Sequence, residues 1–319
     1  MNTINSMPQI HFAPLQGYTD KAYRAAFEHI IGNIDYYYTP YLSVENDQSI
    51  KLVDDLTGIT DDIRAKTIPQ ILPATVHELK LLLQPILNGG FRHININMGC
   101  PYPMATRKGR GAALVHQPGL ASDMINYLSD HTSCLISIKI RTGLTDHSAV
   151  LPFLEKIPYS KTESVIIHPR TANQLYRGEA SAAVFLQCKK EFPNLNLIYN
   201  GDISSFSVFI EKLNKLPDQS SWMIGRGLLH HPFLAWQIKN SSDNLPQSHQ
   251  AILGSFIDEL IRLILLDSKN KEHALNRCKL QLTMLFEADS CLLKYSKRMK
   301  KARNLDEVQV LVNEMKLMG

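Results

Sequence analysis

Short runs rich in β-branched and aromatic residues recur along the chain as far as Gly227, and a stretch of helical spacing separates most of them from the next. The runs span residues 10–16, 36–41, 67–72, 93–100, 135–141, 164–170, 196–202 and 222–227. Helical patterns fall at 21–30, 77–87, 120–129, 149–157, 182–192 and 206–213. Most runs start about 25–35 residues after the last, enough for a strand, a crossover helix and a return to a parallel neighbour. Eight such units predict an α/β chain closed into a (β/α)8 TIM barrel rather than an open doubly wound sheet. The second unit is the least regular, because the connection from Tyr41 to Lys66 is acidic and poorly periodic.

Past Lys239 the pattern changes. Residues 240–246 read as a polar linker, and everything beyond keeps helical spacing. The apolar positions are Ile252, Phe256, Leu260, Leu263 and Ile264, then Leu275, Cys278, Leu282, Leu285 and Phe286, then Val308, Leu311, Val312 and Met315. The chain therefore divides into a barrel domain, 1–240, and a small C-terminal bundle of about four helices, 241–319. In that bundle, residues 291–303 carry Lys294, Lys297, Arg298, Lys300, Lys301 and Arg303 with no acidic residue. Such a run is either a solvated helix face or a patch that contacts phosphates.

Composition narrows the classes. With 44% hydrophobic and 20% charged residues the chain can bury a large core and is not disordered. A net charge of +4 permits a polyanionic partner without requiring one. The five cysteines (Cys100, Cys134, Cys188, Cys278 and Cys291) are an odd, scattered set without a C-x-x-C pair. Neither a disulfide framework nor a metal site is expected. No apolar run approaches the ~20 residues of a membrane span, and residues 1–9 lack the apolar core of a signal peptide. A cytoplasmic monomer with no membrane partner is the expectation.

Functional side chains of such barrels sit at the C-terminal ends of the strands. The fourth run ends in Asn97-Met98-Gly99-Cys100-Pro101, which delivers a thiol into a tight turn. Gly99 should let the backbone approach a ligand, and Pro101 fixes the chain direction after the thiol. A lone cysteine often serves as a small buried hydrophobe. The sequel from Met104 to Gly111 is basic and glycine-rich, however, and should be an exposed loop carrying Arg107, Lys108 and Arg110. Cys100 therefore reads as a working residue. Lys139 and Arg141 end the fifth run two apart and on one face, as do His168 and Arg170 at the end of the sixth. Asn200-Gly201-Asp202 ends the seventh and Gly225-Arg226-Gly227 the eighth. Loops after strands seven and eight are the usual phosphate site, and glycine-spaced amides around an arginine supply donors and charge. There is no Walker A pattern, and Gly109-Arg110-Gly111 lacks the third glycine of a dinucleotide fingerprint. A phosphate-bearing mononucleotide at the barrel top is expected.

Further motifs are Ala13-Pro14-Leu15-Gln16-Gly17-Tyr18-Thr19-Asp20 with Tyr23-Arg24, Gln70, Gly111-Ala112-Ala113-Leu114, Lys139-Ile140-Arg141-Thr142-Gly143, His168-Pro169-Arg170-Thr171 and Asn200-Gly201-Asp202-Ile203. With the Asn-Met-Gly-Cys-Pro block, they make the chain similar to the tRNA-dihydrouridine synthases along the whole barrel. The resemblance implies an FMN held by Ala13, Pro14, Leu15, Gln70, Lys139, His168, Asn200, Gly201, Asp202, Gly225 and Arg226, with NADPH or NADH as reductant. It makes Cys100 the general acid that protonates C5 of a D-loop uridine flipped out of tRNA. Asn97, Arg141, Arg170 and Thr171 would hold the base. Arg107, Lys108 and Arg110, with Lys297, Lys300 and Lys301 on the C-terminal bundle, would grip the tRNA. Where members often carry a lysine a few residues after the Gly-Cys-Pro turn, this chain has Pro103-Met104-Ala105. An alternative is another FMN-dependent barrel oxidoreductase acting on a small cyclic substrate, like a dihydroorotate or dihydropyrimidine dehydrogenase, which has no use for a basic bundle. A non-catalytic RNA binder would have no use for Cys100 or the flavin positions.

Overall fold

A computed structural model gives the protein's structure, described for residues 7–45, 49–287 and 292–317. Its strands are β1 (Gln9–Phe12), β2 (Tyr36–Tyr38), β3 (Thr67–Ile68 and Gln70–Ile71), β4 (His93–Met98), β5 (Leu135–Arg141), β6 (Ser164–His168), β7 (Leu197–Asn200) and β8 (Ser221–Ile224). Pro69, which has no N–H for the ladder, separates the two halves of β3. The first half pairs with β2 and the second with β4, so the two ends of the sheet meet on one segment and the parallel barrel closes. The strands are shorter than the sequence runs because the last residues of most runs leave the ladder to form the top loops.

Around the barrel lie α1 (Lys21–Ile30), α2 (Asp61–Lys66), α3 (Val76–Asn88), α4 (Pro103–Thr106), α5 (Pro118–His131), α6 (Val150–Lys156), α7 (Ala182–Glu191), α8 (Phe206–Lys215), α9 (Arg226–His230) and α10 (Leu234–Lys239). The irregular second unit holds a short antiparallel hairpin (Ser43–Val44 with Ile50–Lys51) and a 3-10 turn (Val53–Leu56) before α2. Three short elements in one connection account for its lack of a single period.

Alternation along the strands separates structure from chemistry. On β5, Ile136, Ile138 and Ile140 belong to the large apolar layer beneath the helices, so the alternate residues Ser137, Lys139 and Arg141 face the barrel interior. The interior floor is small and partly apolar, built from Ala13, Tyr38, Ile68, Ile166, Ile198 and Met223.

Among the described residues the C-terminal segment holds four helices, α11 (His249–Asp267), α12 (Lys271–Phe286), α13 (Leu293–Lys301) and α14 (Leu305–Lys316). It shares one continuous core with the barrel. Phe256 of α11 meets Tyr23 and Phe27 of α1 edge-on, with ring centroids 5.6 and 5.8 Å apart. Asp20 caps α1 with one oxygen, accepting from the Tyr23 amide at 3.0 Å, and with the other accepts from Gln281 at 2.8 Å and Arg277 at 3.1 Å. Arg277 and Lys21 both pair with Asp267. Beneath them Arg24 and Asp55 form a buried pair at 2.7 Å. On the top rim, the His230 ring donates to the carbonyl of Met284 at 2.9 Å, which seats α12 beside the loops after β8.

Candidate functional site

Strand register assembles the site. Parallel pairing sets Asn97 beside Lys139, Arg141 beside His168 and Asn200 beside Met223. Inward residues at these levels converge on the C-terminal mouth, where they open into a cavity of about 380 Å³. Ala13, Pro14 and Leu15 follow β1 into its wall, Lys139 and His168 stand on β5 and β6, Asn200–Asp202 end β7, and Gly225 and Arg226 start α9. Gly225 also precedes the first turn of α9, whose leading amides have no helical acceptor. Gln70 is absent from this wall. It is fully buried behind it, donating to Asn95 at 2.7 Å and accepting from Asn97 at 2.8 Å.

The cavity is positively charged and uncompensated. No carboxylate pairs with Lys139, Arg141 or Arg226 among the described residues. Burial, reinforced by the charge of Arg141, brings the Lys139 ammonium down to about 7. Burial and the cations Lys139, Arg141, Arg170 and Arg226 hold His168 well below its ordinary value, so the ring is neutral. Arg170 can only donate, so His168 Nε2 accepts from it at 3.0 Å and the ring proton sits on Nδ1. Such a donor set fits an anionic, hydrogen-bonding group with a phosphate.

Around the thiol, several side chains serve the loop itself. Asn97 Oδ1 accepts from the amides of Gly99 and Cys100 at 3.0 and 2.8 Å, clamping the turn. Its Nδ2 donates to Gln70 at 2.8 Å, so both ends of the side chain are engaged within the protein. Gly99 does approach something closely, but it is the neighbouring strand: a Cβ there would lie 3.1 Å from the Ile140 carbonyl carbon. Gly111, at φ +61, presses on the Cys100 carbonyl, where a Cβ would come within 2.5 Å. Cys100 is 7% exposed. Burial raises its thiol, opposed by hydrogen bonds from the Tyr102 amide and Tyr41 and by the charges of Arg141 and Lys139.

Of the four arginines expected to face substrate, Arg170, Arg110 and Arg141 are buried and divide by their partners. Arg170 is buried and spends its guanidinium on Asp202 at 2.6 and 2.7 Å and on the Gly178 carbonyl at 2.6 Å. It ties the loop after β6 to the loop after β7, and the Asp202 carboxylate, also taking the Ala180 amide at 2.7 Å, is used up in the tie. Arg110 is likewise no surface residue. It is buried, pairs with Glu78 at 2.8 Å and donates to the Val44 carbonyl at 2.9 Å, so it fastens the thiol loop to the hairpin after β2. Arg170 nonetheless lines the cavity, whereas Arg141 lies just behind its wall, bonded to the Thr171 carbonyl at 2.7 Å; Thr171 itself is buried. Arg107 and Lys108 are exposed, as are Lys297, Lys300 and Lys301 on α13.

Two tyrosines at the site carried no sequence motif. Tyr176 lies in the cavity wall with its ring 4.3 Å from the Arg226 guanidinium carbon. Tyr41 packs against Cys100. An aromatic residue in a polar top loop and one at the end of the second run were the available signals.

A family model described as dihydrouridine synthase (Dus) matches residues 11–315. A probable tRNA-dihydrouridine synthase of Staphylococcus epidermidis is 26% identical over 73% of this chain and 73% of its own. A tRNA-dihydrouridine(47) synthase [NAD(P)(+)]-like protein of Arabidopsis thaliana is 32% identical over 46% of this chain, a match that spans 21% of that protein. Among solved structures, morphinone reductase superposes with a TM-score of 0.53 at 11% identity, covering 80% of this chain and 94% of its own, a likeness of fold.

Proposed function

Because the chain belongs to the dihydrouridine synthase family, we propose that it reduces the C5–C6 double bond of D-loop uridines in tRNA with Cys100 as general acid. The observation that carries this reading is a buried thiol within the field of two uncompensated cations, Arg141 and Lys139, the second of which lines a cavity of mononucleotide size. FMN, re-reduced by NAD(P)H, supplies hydride to the uracil ring when bound. Lys139, the His168 Nδ1–H, the loop amides after β7 and β8 and the Arg226 guanidinium are the groups that would hold it. Arg141, buried with its guanidinium carbon 5.8 Å from the Tyr176 ring of the cavity wall, would act on an extruded base through its charge, since a stacked uridine cannot reach a barrel mouth. The Cys100 S–H bond breaks, its proton goes to C5, and the electron pair stays on sulfur.

Residues 1–240 would carry the chemistry and 241–319 would bind tRNA, with Arg107, Lys108, Lys297 and Lys301 as phosphate contacts and Lys300 in a lesser part. A monomer working in the cytoplasm suits that role. No helix among the described residues is long and apolar enough to cross a membrane.

Single-turnover reduction of unmodified tRNA by pre-reduced enzyme tests the reading. Cys100→Ala should bind FMN normally yet slow the reaction roughly 10²–10⁴-fold, and Cys100→Ser should be almost as slow. An alanine variant reacting at the wild-type rate ends the assignment of Cys100. Unmodified tRNA that never gains dihydrouridine ends the assignment of substrate.

A further inference from the structure

Cys100 lies in a small apolar cluster with Leu72 and Ala105, and the ring of Tyr41 packs against that cluster. Tyr41 and Cys100 lie close enough for each to shift the other's proton affinity, and the Tyr102 amide neighbours the same sulfur. We propose that Tyr41 is a positioning residue for the proton transfer, its hydroxyl donating a hydrogen bond to the sulfur anion that Cys100 becomes when it gives up its proton. This rests on the reading of Cys100 as the acid and adds the group that makes it one.

A thiol enclosed by Leu72 and Ala105 is a poor acid, because its anion has lost its water. Proton donation therefore needs donors already aimed at the sulfur before charge develops there. The Tyr41 hydroxyl and the Tyr102 amide are the neighbouring donors that can meet that need, while Lys139 and Arg141 act through their charge.

Tyr41 is held for the purpose. Its amide donates to Gln16 Oε1 at 3.2 Å. The next residue is clamped on β3, the Leu42 amide donating to the Gln70 carbonyl and the Leu72 amide to the Leu42 carbonyl, both at 2.8 Å. Burial, with the thiol beside it, pushes the phenol up to about 12, so it remains a donor throughout the working pH range. In the transfer the S–H bond breaks, the new C–H bond forms at C5, and Tyr41 keeps its own proton. Water returns a proton to the sulfur between turnovers.

The experiment follows alkylation of Cys100 by iodoacetamide against pH in the FMN-loaded enzyme, read on the Cys100 peptide by mass spectrometry. Tyr41→Phe removes one oxygen. It should raise the midpoint by about one pH unit or more, a tenfold loss of acidity per unit, with flavin content unchanged. Single-turnover reduction of tRNA should fall roughly ten- to hundredfold, as expected for a lost hydrogen bond to a charged group. Site-specific 3-fluorotyrosine at position 41, a stronger donor of nearly the same shape, should move the midpoint down. A midpoint that stays put in both proteins overturns the proposal, as does a Tyr41→Phe enzyme that turns over like wild type. If instead Cys100→Ala reduces tRNA at the wild-type rate, it is the acid assignment that has failed.

Discussion

Two groups of cations sit in this molecule, buried or half-buried except for the exposed Arg226, and their surroundings are opposite. At the joint between α1 and the C-terminal helices, Arg24, Lys21 and Arg277 meet Asp55, Asp267 and Asp20, so positive charge is answered within the chain. At the barrel mouth, Lys139, Arg141 and Arg226 have no carboxylate partner among the described residues, only Tyr176, neutral His168 and backbone. Burying charge is costly unless it is paired. The joint has met that cost and holds the fold together. The mouth has left it unmet, as the proposed site for an anionic ligand requires.

The comparison breaks most visibly at Arg24. Arg24→Met strands Asp55, whose carboxyl burial already holds at about 6, and should cost about 3–5 kcal/mol by urea denaturation. Flavin bound per folded molecule should not change. A loss under about 1 kcal/mol would mean the joint is no more essential than a surface pair.

Arg226→Ala is the counterpart at the mouth. It should leave the stability of flavin-free protein nearly intact while weakening FMN binding by about 1.5–3 kcal/mol, read by fluorescence titration. Undiminished affinity would put the phosphate elsewhere.

Lys139→Met sharpens the contrast through pH. Its folded pKa of about 7 lies below the ordinary 10.5, so the native flavin-free state disfavours the ammonium. That penalty is fully present below pH 7 and shrinks as pH rises towards 10.5. Removing the amine should therefore stabilise flavin-free protein by about 1 kcal/mol at neutral pH, with the gain fading in alkali. A variant less stable than wild type at neutral pH would show that Lys139 has a hidden partner.

The smallest effects belong to α13. Arg298 pairs with Glu314 and Lys300 with Glu287, whereas Lys297 and Lys301 have no ion pair among the described residues. Lys297→Glu with Lys301→Glu should lower the slope of log affinity for tRNA against log salt by about 1–2, and Lys300→Glu by less. Equal effects from all three would show that the internal pairs open on binding.

That helix also marks how far the sequence could be read. A run without acidic residues is visible in one dimension, but Glu287 and Glu314 reach it from neighbouring elements. The same distance hid the partners of Arg110, which reads as an exposed loop cation, and of Arg170, which reads as a strand-end cation facing substrate; they are buried against Glu78 and Asp202. Cys291 lies outside the described residues.

What the chain's own order of residues determined was the barrel, its strand ends and the chemistry presented there. Alternation on β5 fixes which face Lys139 and Arg141 share, and the repeated strand-helix length requires parallel crossovers. Both are local properties. Tertiary structure alone decided which cations are answered and which are not, and which hydroxyl reaches the thiol. Tyr41 and Cys100 belong to different strands' loops, and no period links them. Their meeting depends on closure of the sheet through β3, and only a closed barrel fixes the distance between its loops.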